Sequence, residues 1–127
     1  MTRPLLLSVV ESAMHPSFAD LYGRLGLREE RAYSIREAMR LAKRLRPAWI
    51  VAEFFYGYGN NYSGVHVSNL DVLLVQLQTS SPQTRVVVLV QKEEMRFVER
   101  LTDRFPVHAV MQLPADPEEM QVVLTTA

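Results

Sequence analysis

Residues 47–53 read PAWIVAE, a short apolar run that Pro47 opens and a single carboxylate, Glu53, closes. Apolar runs of this length are typical of strands that are buried on both faces of a parallel sheet. The functional crevice of such a sheet lies at the carboxyl ends of its strands. The sequence therefore places Glu53 where an α/β fold carries its chemistry.

Four further stretches predict strands, and capping patterns between them predict helices. The additional strands are expected at 5–10, 31–33, 85–90 and 107–112. Helix starts are indicated by S-x-x-D at 17–20, S-x-x-E at 34–37, the stretch 68–71, the glutamates at 93–94 and Asp-Pro at 116–117. The alternation predicts a three-layer α/β/α sandwich of the flavodoxin-like type, around a five-stranded parallel sheet of order 2-1-3-4-5.

The composition of the 127 residues is that of one globular domain, with 48% hydrophobic and 22% charged residues. No cysteine is present, which excludes disulfides, thiol catalysis and thiolate metal sites. No apolar run is longer than 86–90, which is far shorter than the roughly 20 residues that span a bilayer. We therefore expect no membrane segment, no signal peptide and, by default, a cytoplasmic location.

Charge is distributed unevenly although the net charge is zero. Residues 1–46 hold nine Lys/Arg and five Asp/Glu, giving +4, and the remainder carries −4. The basic residues of the predicted helix after residue 34 are Arg36, Arg40, Lys43 and Arg44. An exposed helix face needs such charges anyway, and no base-reading or stacking element accompanies them. We therefore expect no nucleic-acid binding by this domain itself.

The three histidines, His15, His66 and His108, lie in separate segments without the spacing of metal ligands. No Ser/His/Asp arrangement can be built from them without invented geometry. Surface or packing roles are expected for all three.

Four features follow one another in a characteristic order and spacing. They are an acid after the first strand, Pro-x-apolar-apolar-apolar-x-acid around the third, a valine-rich fourth strand, and apolar-x-x-Pro after the fifth. In this order the chain resembles the CheY-like receiver domains of two-component response regulators over nearly its whole length. The resemblance implies phosphoryl transfer from a histidine kinase to an aspartate ending the third strand. It also implies an acidic pair that helps to hold Mg²⁺, and a hydroxyl and a lysine that contact the phosphoryl oxygens.

The resemblance places the family's acceptor position on Glu53, where the family has aspartate. The acidic pair falls on Glu11 and Ser12, which leaves one carboxylate. Because Mg²⁺ prefers near-octahedral oxygen coordination, two carboxylates at most are a poor site, and we expect neither a metal nor a cofactor. Glu53 then has three interpretations: an imitation of phosphorylated aspartate, a vestigial polar group reached by water, or residual metal or phosphoryl chemistry. Buried near Glu11 without a lysine, Glu53 is expected to have a raised pKa.

The switch positions of the family are also changed. The hydroxyl position falls on Val90, with Gln91 the nearest polar alternative, the aromatic position on Val110 and the lysine position on Leu113. Without the hydroxyl and the lysine, nothing stabilises the charge of a transferring phosphoryl group. We therefore predict that the phosphorylation switch is lost and that no catalytic residue is present.

Residues 54–66, FFYGYGNNYSGVH, predict a loop rich in aromatic residues, glycine and asparagine. Tyrosine offers large contact areas, and glycine and asparagine offer an adaptable backbone. Phe54, and with less support Phe55, are expected in the core, covering the end of the sheet. The candidate partner-binding residues are Tyr56, Tyr58, Asn60, Asn61 and Tyr62.

The sequence thus predicts one receiver-like domain over 1–127, which in a larger regulator would be the N-terminal part. It is expected to act as a phosphorylation-independent signalling module with protein partners. A homodimer could form through the face of the fourth helix, fifth strand and fifth helix, whose charges are Arg96, Arg100, Arg104, Glu99, Asp103 and Glu119. The alternatives are a flavodoxin-like small-molecule or phosphate-binding domain using 54–66, and a divergent receiver that retains Mg²⁺ at Glu11 and Glu53.

Overall fold

The computed structural model of the protein describes residues 3–57 and 67–126. Five parallel strands form one sheet of order β2-β1-β3-β4-β5. They are β1 (Leu5–Val9), β2 (Arg28–Ala32), β3 (Trp49–Glu53), β4 (Arg85–Val90) and β5 (Ala109–Gln112). The predicted α/β fold and strand order are confirmed.

Helices cover both faces of this sheet. They are α1 (Ala19–Arg24), α2 (Ile35–Leu45), α3 (Asp71–Ser80), α4 (Val98–Thr102), which a 3₁₀ segment (Lys92–Phe97) precedes, and α5 (Pro117–Thr125). Side chains alternate between faces along each strand, so Leu7 and Val9 join the core under α2, α3 and α4. Leu6, between them, joins the second core under α1 and α5. The central strands therefore lie between two apolar cores, one on each face of the sheet.

The capping patterns were correct at two helices. Ser34 Oγ accepts the Glu37 N–H at 3.1 Å at the N-cap of α2. Glu37 Oε1 accepts the N–H of Tyr33, the residue before the N-cap, at 2.8 Å, which gives a variant of the capping box. At α5, Asp116 accepts the Glu118 N–H at 2.9 Å. Local side-chain chemistry is enough to fix these two helix starts.

Three predictions about elements were wrong. The second strand is Arg28–Ala32 and not 31–33, because it is an edge strand whose charged side chains pair with one another and hide the usual apolar signal. Ser17 does not cap α1, whose N-cap is Phe18 without a side-chain bond. The helix expected from 93 begins as the 3₁₀ segment, in which Glu94 and Phe97 contact the chain after β3.

Candidate functional site

The candidate site lies at the carboxyl edge of the sheet, where the loop between β1 and α1 (residues 10–18) meets the end of β3. The two strands are neighbours, with Val9 opposite Ala52. This register places the chain just after β1 beside Glu53. The topology alone therefore brings Glu11 and Ser12 to the carboxylate, as the resemblance implies.

The Glu53 side chain is buried, and both of its carboxylate oxygens are engaged. The residue is 1% exposed. Its Oε2 accepts the backbone N–H of Glu11 at 2.7 Å and that of Ser12 at 3.1 Å, and it lies 3.3 Å from His15 Nδ1. Its Oε1 accepts the Ser12 hydroxyl. The loop after β1 thus holds this carboxylate as an internal anion.

These contacts overturn two expectations for Glu53. Burial acts to raise its pKa, but the hydrogen bonds from His15, Ser12 and the Glu11 backbone outweigh burial, so the pKa lies below its ordinary value. The predicted raised pKa was wrong because the sequence did not show the donors. The interpretation as a group reached by water was also wrong, since protein atoms surround the carboxylate.

Glu11 is the opposite case. Burial is the main cause that raises its pKa, the charge of Glu53 adds to that effect, and a hydrogen bond from Asn69 partly offsets it. The two carboxylates at this edge are therefore not equivalent. Hydrogen bonds compensate the burial of the Glu53 carboxylate, whereas the single bond from Asn69 only partly compensates the burial of Glu11.

Asn69 joins three segments at the site. Its side-chain nitrogen donates to Glu11 Oε1 and to the Glu53 carbonyl, both at 2.8 Å, and its oxygen accepts the Phe55 N–H at 2.7 Å. The residue is buried, just before α3. This role is not predictable from the sequence, because an asparagine at a helix start is equally typical of a local cap.

His15 was also misjudged. Its side chain is only 3% exposed and contacts the Glu53 carboxylate, so it is not a surface residue, and its role includes a polar contact besides packing. Its Nε2 is buried and has no hydrogen-bond partner in the described part of the chain. The pairing arises from the fold of the 10–18 loop, for which the sequence carries no clear signal.

The side of the edge formed by β4 and β5 is apolar. Val90 is fully buried at the end of β4, and Leu113, which follows β5, is 5% exposed. Val110 packs partly buried against the same core as Val90. Gln91, the polar alternative, caps the 3₁₀ segment only by position, without a side-chain cap bond. The positions to which the resemblance assigns a hydroxyl, an aromatic ring and a lysine carry none of these groups.

Tyr56 links the exit of β3 to the segment before α4. Its ring stacks on Phe97 with centroids 3.9 Å apart and planes 7° apart. Arg100 donates to the Tyr56 hydroxyl at 2.5 Å, and Glu94 accepts the Tyr56 N–H at 3.2 Å. One face of this candidate partner-binding residue is thus covered by its own chain. The other candidates, Tyr58, Asn60, Asn61 and Tyr62, and also His66, lie outside the described residues.

The described residues were compared with the side-chain groups that hold metal ions and with helices that span membranes. Within 3–57 and 67–126, no group of three His, Asp or Glu side chains is arranged to hold a metal ion. Among the helices of these same ranges, none has the length and apolar character needed to cross a bilayer.

Comparison with known proteins gives likeness in structure only. No family model matches the sequence, and no curated protein matches it significantly. The receiver domain of AraT, a response regulator from Geobacillus stearothermophilus, superposes with a TM-score of 0.74 at 17% identity, over 98% of this chain and 92% of that one.

Two further solved structures carry ligands. A Burkholderia pseudomallei response regulator with a phosphorylated aspartic acid, a calcium ion and citrate gives a TM-score of 0.70 at 19% identity, over 97% of this chain and 67% of that one. The receiver domain of a Pseudomonas aeruginosa sensor histidine kinase, with Mg²⁺ in its active-site cleft, gives 0.69 at 14% identity, over 96% and 94%. The chain therefore has the fold of response-regulator receiver domains.

Proposed function

We propose that this chain is a receiver-fold signalling module that binds partner proteins without regulated phosphorylation and catalyses no reaction. The observation that carries the proposal is the state of Glu53. The carboxylate at the acceptor position is 1% exposed, and both of its oxygens are hydrogen-bonded to the loop after β1.

A phosphoryl acceptor must present a free oxygen in line with the donor. For Glu53 to do so, its carboxylate would have to leave two backbone N–H groups and the Ser12 hydroxyl. Those donors would lose their acceptor in a partly buried site. The loss costs up to about 1–3 kcal/mol for each group. The side chain is better suited to a structural role than to a nucleophilic one.

Stabilisation of the transferring group is missing as well. Phosphoryl transfer depends on cations and hydrogen-bond donors aimed at the equatorial oxygens. The β4 and β5 positions that would supply them hold Val90 and Leu113, both buried apolar side chains. Apolar groups at both positions support the loss of the reaction, and not only its slowing.

The contacts of Glu53 also separate two interpretations of its charge. An imitation of phosphorylated aspartate would act on the β4 and β5 side, where the family's switch residues lie. The side-chain carboxylate of Glu53 instead contacts Glu11, Ser12 and His15, all in the loop after β1. We therefore favour a structural anion that fixes this loop over an imitation of the phosphorylated state.

We infer that the protein functions through a surface at the carboxyl edge of the sheet that keeps one conformation. Glu53 holds the loop after β1, and the Tyr56–Phe97 stack ties the exit of β3 to the segment before α4. A ligand can shift only an equilibrium between states that differ in affinity for it. A module that is held in one state is suited to constitutive binding of a protein partner.

The test is incubation with a small phosphodonor and Mg²⁺, followed by intact-mass measurement. The protein is expected to keep its unmodified mass. The Burkholderia pseudomallei response regulator, which was solved with a phosphorylated aspartic acid, is the parallel positive control. A phosphorylated species that maps to Glu53 would overturn the proposal.

Affinity capture with wild type, Tyr58→Ala and Tyr62→Ala tests whether the 54–66 loop selects the partner.

A further inference from the structure

A pocket of about 420 Å³ opens beside the ends of β1 and β3. It is lined by Glu11, Ser12, Tyr33, Ser34 and Phe55. These residues carry one carboxylate, three hydroxyls and two aromatic rings around a space large enough for a side chain of a partner. Glu53 is hydrogen-bonded to Glu11 and Ser12 but does not itself line this pocket.

The carboxylate in this pocket has little compensation for its charge. One oxygen of Glu11 accepts from Asn69. In the part of the chain that the structure describes, no lysine or arginine forms an ion pair with Glu11. Burial and the neighbouring charge of Glu53 both disfavour its ionised form and so raise its pKa. Such a carboxylate gains more from an arriving cation than an exposed one does.

The aromatic rings of Tyr33 and Phe55 favour a guanidinium group over other cations. Phe55 lines the pocket half-buried, and Tyr33 stands at its rim with 62% of its surface exposed. A guanidinium group can form two parallel hydrogen bonds with a carboxylate while its flat face lies on an aromatic ring. Tyrosine and arginine are also the residues that most often dominate binding at protein interfaces.

We propose that this pocket receives the guanidinium group of an arginine side chain from the partner protein. The inference rests on the proposed protein-binding function and names the chemistry of the partner at one point of contact. Arg36 and Arg40 are exposed next to the rim, around a second depression that shares Tyr33 and Ser34. They would repel a run of basic residues, so the arginine is a single one with neutral or acidic neighbours.

The test uses small molecules and the whole chain, followed by ¹H–¹⁵N NMR. Ethylguanidinium is expected to shift the amide signals of Glu11, Ser12, Ser34 and Phe55 saturably. Ethylurea, which has a similar shape and no charge, is expected to leave them in place. Butylammonium is expected to bind several-fold more weakly, because an ammonium group lacks the planar fork.

The matched variants are Glu11→Gln and Glu30→Gln. Glu11→Gln keeps an amide oxygen that can accept from Asn69, so the fold is expected to remain, and an unfolding midpoint checks this. Ethylguanidinium affinity should fall by roughly tenfold, as for the loss of a charged hydrogen bond. Glu30, which is 42% exposed on the edge strand, is the control whose change should leave the affinity unaltered.

The proposal is overturned if ethylguanidinium gives no saturable shift, if ethylurea shifts the same signals equally, or if Glu11→Gln has no effect. Tighter saturable binding of Mg²⁺ at the same amides would also overturn it, in favour of a metal site. None of these results alters the phosphodonor measurement. Failure of the arginine pocket and failure of the proposed function are therefore distinguishable.

Discussion

The carboxyl edge of the sheet has two halves that differ in chemistry. On the half formed by β1 and β3, Glu53 accepts hydrogen bonds from the 10–18 loop, and Asn69 bridges Glu11 and the end of β3. On the half formed by β4 and β5, Val90 and Leu113 are buried in the cores. In the first half, polar groups hydrogen-bond to one another, whereas the residues of the second half are part of the apolar packing.

The difference shows that the type of residue at a functional position does not establish its function. Glu53 carries the charge that an acceptor needs, yet its oxygens are occupied. Whether a carboxylate can react depends on the donors around it and not only on its place in the fold. The variants below test this contrast between the two halves.

Glu53→Ala is expected to have the largest effect. It removes the acceptor of two backbone N–H groups and of the Ser12 hydroxyl. The free energy of unfolding, measured with urea, should fall by about 3 kcal/mol. Glu119→Ala, at an exposed carboxylate of α5, is the control and should change it by less than about 0.5 kcal/mol. Equal effects of the two variants would show that Glu53 is not a structural anion.

Asn69→Ala is expected to rank second. The variant loses three hydrogen bonds that join the ends of β1 and β3 to the start of α3. A loss of about 2 kcal/mol is expected from urea unfolding, because the Phe55 N–H and the Glu53 carbonyl are left buried. Gln83→Ala, at an exposed position before β4, is the neutral control. A neutral Asn69→Ala would mean that water replaces the side chain.

Val90→Thr tests the other half of the edge. The substitution preserves shape and supplies the hydroxyl that the receiver pattern has there. Because Val90 is fully buried among apolar side chains, the hydroxyl should find no partner and cost about 1–2 kcal/mol. The phosphodonor experiment should still give unmodified protein. A stable variant that becomes phosphorylated would contradict the proposed loss of chemistry.

The link between the halves is expected to contribute least. Tyr56→Ala and Phe97→Ala, alone and together, form a double-mutant cycle on the stacked pair. The coupling energy should be about 1 kcal/mol in favour of the pair. The same cycle with Phe97→Ala and Phe18→Ala, whose rings lie on different faces of the sheet, should give none. Absence of coupling between Tyr56 and Phe97 would remove the support for a fixed surface near α4.

The fold was predictable because its signals are local and repeat along the chain. Apolar runs gave β3 and β4, and side-chain caps gave the starts of α2 and α5. The charged edge strand β2 was misplaced because it presents only one fully buried residue, Ala32, to the core. Edge strands carry little of the hydrophobic pattern on which such prediction depends.

The site was predictable in position but not in electrostatics. The strand order placed Glu11 and Ser12 next to Glu53. The direction of the Glu53 pKa shift depends on hydrogen bonds from His15, from the Ser12 hydroxyl and from the Glu11 backbone N–H. Backbone donors have no signature in sequence, because every residue except proline carries one. The conformation of the 10–18 loop therefore sets the direction of the Glu53 pKa shift, and the amino-acid sequence does not reveal that conformation.

The lowered pKa of Glu53 also sets the direction in which its contribution to the free energy of unfolding changes with pH. A carboxyl group whose pKa is lower in the folded than in the unfolded state adds stability above its unfolded value, near 4.5. That stability is lost as the pH falls through the folded value. Glu11, whose pKa is raised, contributes in the opposite direction.

The most direct measurement is an NMR titration of the side-chain carboxyl carbons of Glu53 and Glu11 in the folded protein. Glu53 is expected to titrate below its ordinary value of 4.5 and Glu11 above it. That order would establish Glu53 as an anion solvated by the loop after β1. A Glu53 carboxyl that titrates above 4.5, or above Glu11, would contradict the account.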